Sequence, residues 1–188
     1  MRIISGDFKG KKILEPKDFN TRPLKDLAKE SIFNIILHSN KFEINLRNSN
    51  ILDLFSGVGS FGIECLSRGV KKVIFIENYK GVLPILKKNI QSLKSINNYQ
   101  IYENDIYSEN TFSAIEIKFD IIFLDPPYKY KNLYTIFQKI KNNNILNENG
   151  IIILHRHKNE KESFPDYIKI IEKKNIWYFR NIIFIYVK

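Results

Sequence analysis

Two clusters of residues in this 188-residue chain have types and spacings that could do chemistry. The first is Asp125-Pro126-Pro127-Tyr128, which follows the apolar run Phe119-Asp120-Ile121-Ile122-Phe123-Leu124. A carboxylate and a neighbouring backbone carbonyl can each accept one hydrogen of an N–H₂ group, and so aim its lone pair at an electrophile. Asp125 supplies the carboxylate and Pro126 the carbonyl, while Pro126 and Pro127 fix the turn and the carbonyl's direction. Tyr128 offers a ring face on which a base swung out of its stack can lie.

The second cluster is Asp53-Leu54-Phe55-Ser56-Gly57-Val58-Gly59-Ser60-Phe61-Gly62. Gly57, Gly59 and Gly62 have the spacing G-x-G-x-x-G, which follows one apolar run and opens a helical stretch. Glycine lets the backbone come close to a ligand. Glu77 stands twenty residues after Gly57, at the end of the next apolar run. An acid there accepts hydrogen bonds from ribose hydroxyls, so the context predicts a nucleoside-containing ligand. NAD and S-adenosylmethionine both suit it. Asp53 favours the second, because an acid beside the loop repels a pyrophosphate and attracts the cationic methionine part. The candidate cofactor-binding residues are thus Asp53, Phe55, Gly57, Gly59 and Glu77. Asp105 and its apolar neighbour Ile106 could contact the adenine, although Asn104-Asp105 also suits an ordinary turn.

The elements that must hold these residues alternate. Ile51–Phe55, Val73–Glu77, Tyr99–Tyr102, Phe119–Leu124 and Ile151–Leu154 read as strands; Phe61–Ser67, Val82–Leu93 and about Leu133–Lys141 read as helices. Continuous apolar strands separated by helices predict an α/β fold, a doubly wound, mainly parallel Rossmann-like sheet covered on both faces. Ile168–Lys188 reads as two β-rich stretches broken at Arg180-Asn181, which adds an antiparallel C-terminal strand. Arg2-Ile3-Ile4 and Lys12-Ile13-Leu14 flank the turn Gly6–Gly10 as an N-terminal β-hairpin. Pro23 can open a helix that runs to His38. The expected division is an N-terminal extension of hairpin and helix at 1–49 and the main domain at 50–188.

Composition narrows the partners. The formal net charge of +10 favours a polyanion, although the chain's richness in Lys, Ile and Asn is also what an AT-rich genome produces. Lys9, Lys11 and Lys12 of the hairpin, with Arg22, form the candidate RNA-binding surface. Cys65 is the only cysteine and lies in an apolar helical stretch, which points to packing rather than nucleophilic attack. His38, His155 and His157 are too few and too scattered for zinc, so no metal is expected. No apolar run reaches the ~18 residues of a membrane span, and no signal peptide is apparent. A cytoplasmic monomer is expected.

The tetrapeptide D-P-P-Y together with D-x-F-x-G-x-G resembles the amino-directed S-adenosylmethionine-dependent methyltransferases. Arg2-Ile3-Ile4-Ser5-Gly6, Asn20-Thr21-Arg22-Pro23, Glu30-Ser31-Ile32-Phe33-Asn34 and Leu52–Gly57 make the likeness narrower. Over residues 1 to about 155 the chain is similar to the bacterial 16S ribosomal RNA (guanine(966)-N(2))-methyltransferase family. The resemblance implies a Rossmann-like methyltransferase fold, S-adenosylmethionine as cofactor, and a hairpin that helps hold RNA. It also implies methyl transfer to guanine N2 in 16S rRNA of the small ribosomal subunit or its assembly intermediate, and places Arg22 near the cofactor and substrate mouth. The tail departs, with Trp177-Tyr178-Phe179-Arg180 where a Tyr-Gly pair is expected.

Three rival readings remain at this stage. An adenine-N6 DNA methyltransferase uses the same tetrapeptide but usually needs a target-recognition domain. A glutamine-directed protein methyltransferase typically begins the tetrapeptide with Asn, where this chain has Asp125. A non-catalytic RNA-binding protein of the same fold would show decay of one of the two sites.

Overall fold

The computed structural model describes residues 1–16, 24–108, 110–127, 132–160, 163–176 and 180–187. Seven strands form one sheet in the order β3-β2-β1-β4-β5-β7-β6. They are β1 (Asn50–Leu54), β2 (Lys72–Ile76), β3 (Tyr99–Tyr102), β4 (Phe119–Leu124), β5 (Leu146–His157), β6 (Ile168–Ile176) and β7 (Arg180–Val187). Strands β1 to β5 are mutually parallel, and β7 is antiparallel to both β5 and β6. The helices are α1 (Asp26–His38), α2 (Ser60–Ser67), α3 (Leu83–Gln91), α4 (Asn110–Ser113) and α5 (Leu133–Asn142).

Alternation along the strands separates two apolar layers, because successive side chains leave a strand on opposite faces. Ile51, Val73, Phe75, Ile121, Phe123, Ile151 and Ile153 pack with α1, α2 and α3. Leu52, Leu54, Ile74, Ile76, Ile122, Leu124, Ile152 and Leu154 pack with α4 and α5. Covering both faces is what makes these strands continuously apolar. The chain reverses its winding direction between β1 and β4. A crevice opens at the carboxyl ends of strands where such a reversal occurs, and both sequence clusters sit at those ends.

The N-terminal residues join the first layer through Ile3, Ile13, Leu24, Ala28 and Ile32. Their pairing is shorter than a full hairpin, with one isolated bridge, Arg2 to Lys12, between antiparallel segments. It is held from below by α2. The Ile4 and Ser5 N–H groups donate to Glu64 Oε2 and Oε1 at 2.7 and 2.9 Å, and Arg68 Nε donates to the same carboxylate at 2.9 Å. Lys29, also fully buried, donates to the Arg2 carbonyl at 2.5 Å. Burial pulls the Lys29 ammonium below its ordinary value, against the opposing pull of Glu64 and Asp26. Gly6 has φ +82°, and a Cβ there would come within 1.8 Å of the Ser67 carbonyl oxygen, so only glycine lets the chain lie against α2.

Other boundaries shift for local reasons. Helix α1 begins at Asp26, after an extended Lys25, while Pro23 lies outside the described residues. Strand β5 begins at Leu146 rather than Ile151, because Leu146 pairs with Phe119 before a register shift. Arg180 and Asn181 belong to β7, where they pair with His157 and Arg156 and do not mark a break. Helix α4 and a 3-10 turn at Leu46–Asn48 are additional.

Candidate active site

The glycine loop leaves β1 through three consecutive constraints. Phe55 has φ +59°, Gly57 +55° and Gly59 +83°. A left-handed Phe55 is costly for a non-glycine residue and is held by its surroundings. Ser56 Oγ donates to the Asp53 carbonyl at 2.6 Å, and the Ser56 N–H donates to the Ile76 carbonyl, so the loop is fastened to β1 and β2 together. Gly62 has a separate reason to be glycine: a Cβ there would meet the Phe75 ring at 2.3 Å and Asp53 Oδ2 at 3.0 Å.

Two acids close around this loop. Asp53 is 1% exposed, and its Oδ2 accepts the Gly62 N–H at 2.9 Å. Burial pushes its carboxyl well above the ordinary range, against the Gly62 hydrogen bond, with the nearby Asp125 and Glu77 charges adding to the rise. Glu77 is buried as well. Its Oε2 accepts the Gly57 N–H at 2.7 Å, and its Oε1 accepts from Asn78 and Tyr79 at 2.9 and 2.8 Å. Across the crevice, Asp125 follows β4 directly, with its side chain 19% exposed. Pro126 is buried and Pro127 exposed. Tyr128 and Arg22 lie outside the described residues.

The structure thus brings Asp53, Glu77 and Asp125 to one end of the sheet, around Phe55, Gly57 and Gly59. Ile106 is buried in the second apolar layer, against which Tyr102 and Phe55 also pack. Asp105 is exposed, and its Oδ1 accepts the Tyr107 N–H at 2.9 Å, closing a turn. The hairpin lysines stand elsewhere. Asp7 and Phe8 donate to Ser67 at the far end of α2, and an eight-residue helix spans about 12 Å. Lys9 and Lys12 are exposed there, whereas Lys11 donates its Nζ to the Ser92 carbonyl and lies 5.9 Å from the Phe8 ring centre. Cys65 is fully buried, and its surroundings push the thiol up, burial first.

One residue of the site was passed over in the sequence. His155 Nδ1 lies 2.9 Å from Asp125 Oδ1. The signal was present in register form, since Asp125 and His155 directly follow the apolar runs Ile121–Leu124 and Ile151–Leu154 of β4 and β5. Strand pairing brings Leu124 opposite Leu154, and so the next residues together.

Strand order, a reversal at β1 and β4, and acids on a glycine loop define a Rossmann-like methyltransferase that takes S-adenosylmethionine as methyl donor. The family model described as conserved hypothetical protein 95 matches residues 1–183, and the chain belongs to that family. It is 38% identical over 156 residues to a Bacillus subtilis protein named as a candidate rRNA methyltransferase, covering 81% of this chain and 80% of that one. It is 30% identical to the ribosomal RNA small subunit methyltransferase D of Haemophilus influenzae, covering 93% and 88%. The solved structure of an Escherichia coli protein described as a candidate methyltransferase superposes with a TM-score of 0.82 at 22% identity, covering 100% of this chain and 98% of that one.

The residues present fit the cofactor. Asp53 could meet its methionine part, and the Glu77 carboxylate could meet its ribose. Asp105 and Ile106 could flank its adenine. When bound, S-adenosylmethionine supplies an electrophilic methyl group carried on a sulfonium.

Proposed function

We propose that this protein methylates the exocyclic N2 amine of a guanine in 16S rRNA, within the small ribosomal subunit or its assembly intermediate. The observation that carries this reading is Asp125, a half-sheltered carboxylate at the end of β4 beside the glycine loop of β1. Its place next to Pro126 supplies two acceptors for one amine, and relatives named as small-subunit rRNA methyltransferases supply the substrate class.

Guanine N2 is a weak nucleophile because its lone pair delocalises into the ring. Asp125 and the Pro126 carbonyl each accept one of its hydrogens, which favours a pyramidal nitrogen with its lone pair free. Tyr128 holds the base by stacking. Asp53 and Glu77 fix the donor's two ends, so catalysis rests on alignment. Asp125 orients the amine and is not required to act as a strong base.

In this reading residues 50–188 carry the chemistry, and residues 1–49 extend the RNA footprint through Lys9, Lys12 and Arg22. The protein works as a monomer in the cytoplasm. None of the helices among the described residues is long and apolar enough to cross a membrane.

Labelled S-adenosylmethionine should be offered in parallel to total RNA, free 30S subunits and DNA, followed by nucleoside analysis. The expected product is N2-methylguanosine in 16S rRNA. Label confined to adenine in DNA, or to protein, would overturn the assignment.

A further inference from the structure

Asp125 and His155 form an asymmetric pair. The imidazole is 5% exposed, while the carboxylate it faces opens to the crevice. Asp125 is an acceptor when ionised, so Nδ1 carries the hydrogen and donates to Oδ1 at 2.9 Å. The other ring nitrogen, Nε2, is buried and has no hydrogen-bond partner among the described residues. On the far side His155 pairs with Ile182 of β7, an apolar neighbour. A polar ring is thus taken out of water for a single hydrogen bond, at a position where an aliphatic side chain would pack at lower cost. Packing does not account for it.

A consequence for Asp125 does. The terminal torsion of an aspartate is soft, and an unheld carboxylate turns readily. A hydrogen bond to Oδ1 from a buried ring on β5, the strand between β4 and β7, fixes the carboxylate plane and leaves Oδ2 for another donor.

We propose that His155 is a positioning residue of the acceptor site, which orients Asp125 so that Oδ2 receives the N–H of the target amine. This rests on Asp125 being the amine's acceptor, as proposed above. Burial disfavours charge on the imidazole, and the adjoining Asp125 carboxylate and its hydrogen bond outweigh that, leaving the ring above its ordinary value. The pair therefore holds together whether the ring is neutral or protonated.

The test compares His155→Leu, which removes the donor, with His155→Asn, whose amide nitrogen stands near the place of Nδ1. Single-turnover methyl transfer is measured on 30S subunits at saturating S-adenosylmethionine, with cofactor and subunit affinities measured alongside. His155→Leu should be slower by about 10- to 100-fold, the cost of misplacing a reacting group. Both affinities should hold, and His155→Asn should recover most of the rate. In an Asp125→Ala background, His155→Leu should add little further loss, because its effect passes through that carboxylate. Should His155→Leu not fold, His155→Gln, whose longer amide misses the Nδ1 position, takes its place.

A native rate in His155→Leu while Asp125→Ala is slow overturns the inference. So do losses that multiply in the double variant, or an Asn variant as slow as Leu. A native rate in Asp125→Ala instead overturns the proposed function itself.

Discussion

Glu77 closes the glycine loop onto β2 by accepting the Gly57 N–H at 2.7 Å, a contact between residues twenty positions apart. With Asn78 and Tyr79 on its other oxygen, the carboxylate ties together the turn after β2 and the turn after β1. It fastens the glycine loop, and in the proposed reading it is also the ligand for the cofactor's ribose.

That double role sets the first prediction. Glu77→Ala should weaken S-adenosylmethionine binding by about 1.5–3 kcal/mol, the worth of charge-assisted hydrogen bonds. It should also lower the melting temperature, since the Gly57 N–H loses its partner. Glu77→Gln, which keeps one acceptor oxygen, should fall between the two. Calorimetric titration beside thermal melts separates the effects, and unchanged affinity in Glu77→Ala would remove Glu77 from the cofactor site.

Asp53 makes stability depend on pH in a direction opposite to the usual carboxylate. Its carboxyl is raised in the folded protein, mainly by burial, so the fold holds a proton that the unfolded chain has released. Stability from this group is complete below the unfolded value of about 3.9 and is lost as pH rises toward the folded value. Asp53→Asn still offers an amide oxygen to the Gly62 N–H but cannot ionise. Urea midpoints should therefore decline less in this variant than in the parent as pH rises from about 4 to about 8. Parallel curves would mean that Asp53 is ionised in the fold.

The hairpin lysines should divide by their contacts. Lys9→Ala and Lys12→Ala, at exposed positions, should each flatten the salt dependence of RNA binding by about one slope unit per lost phosphate contact. Lys11→Ala should chiefly lower stability, because its ammonium is engaged by the Ser92 carbonyl. Cofactor affinity should hold in all three. Filter binding across a salt series decides the point, and equal slopes for every variant would make the hairpin purely structural.

At the chemical step, Asp125→Ala and Asp125→Asn should each cut single-turnover methyl transfer by about 100-fold or more, the cost of a lost transition-state hydrogen bond. Tyr128→Ala should lose about 1–3 kcal/mol of base stacking, and Tyr128→Phe little. A Phe variant as inactive as Ala, with RNA and cofactor still bound, would assign the work to the hydroxyl in place of the ring.

The sequence alone determined which runs become strands and the order in which the two candidate sites follow β1 and β4. These are local properties: apolar runs of strand length, glycines at fixed spacing, acids at strand ends, and a Pro-Pro turn. The family likeness rested on the same short motifs. What only the tertiary structure decided depends on pairing across the sheet. His155 was one of three scattered histidines until the parallel register of β4 and β5 placed it against Asp125. Lys11 counted among the free cations until its ammonium met the carboxyl end of α3. Glu64 and Lys29 gave no signal at all, because their roles come from backbone partners at Arg2, Ile4 and Ser5, which lie 27 to 60 residues away. Motif spacing follows from backbone geometry along the chain, whereas the partners of a side chain follow from which strands and helices come to lie side by side.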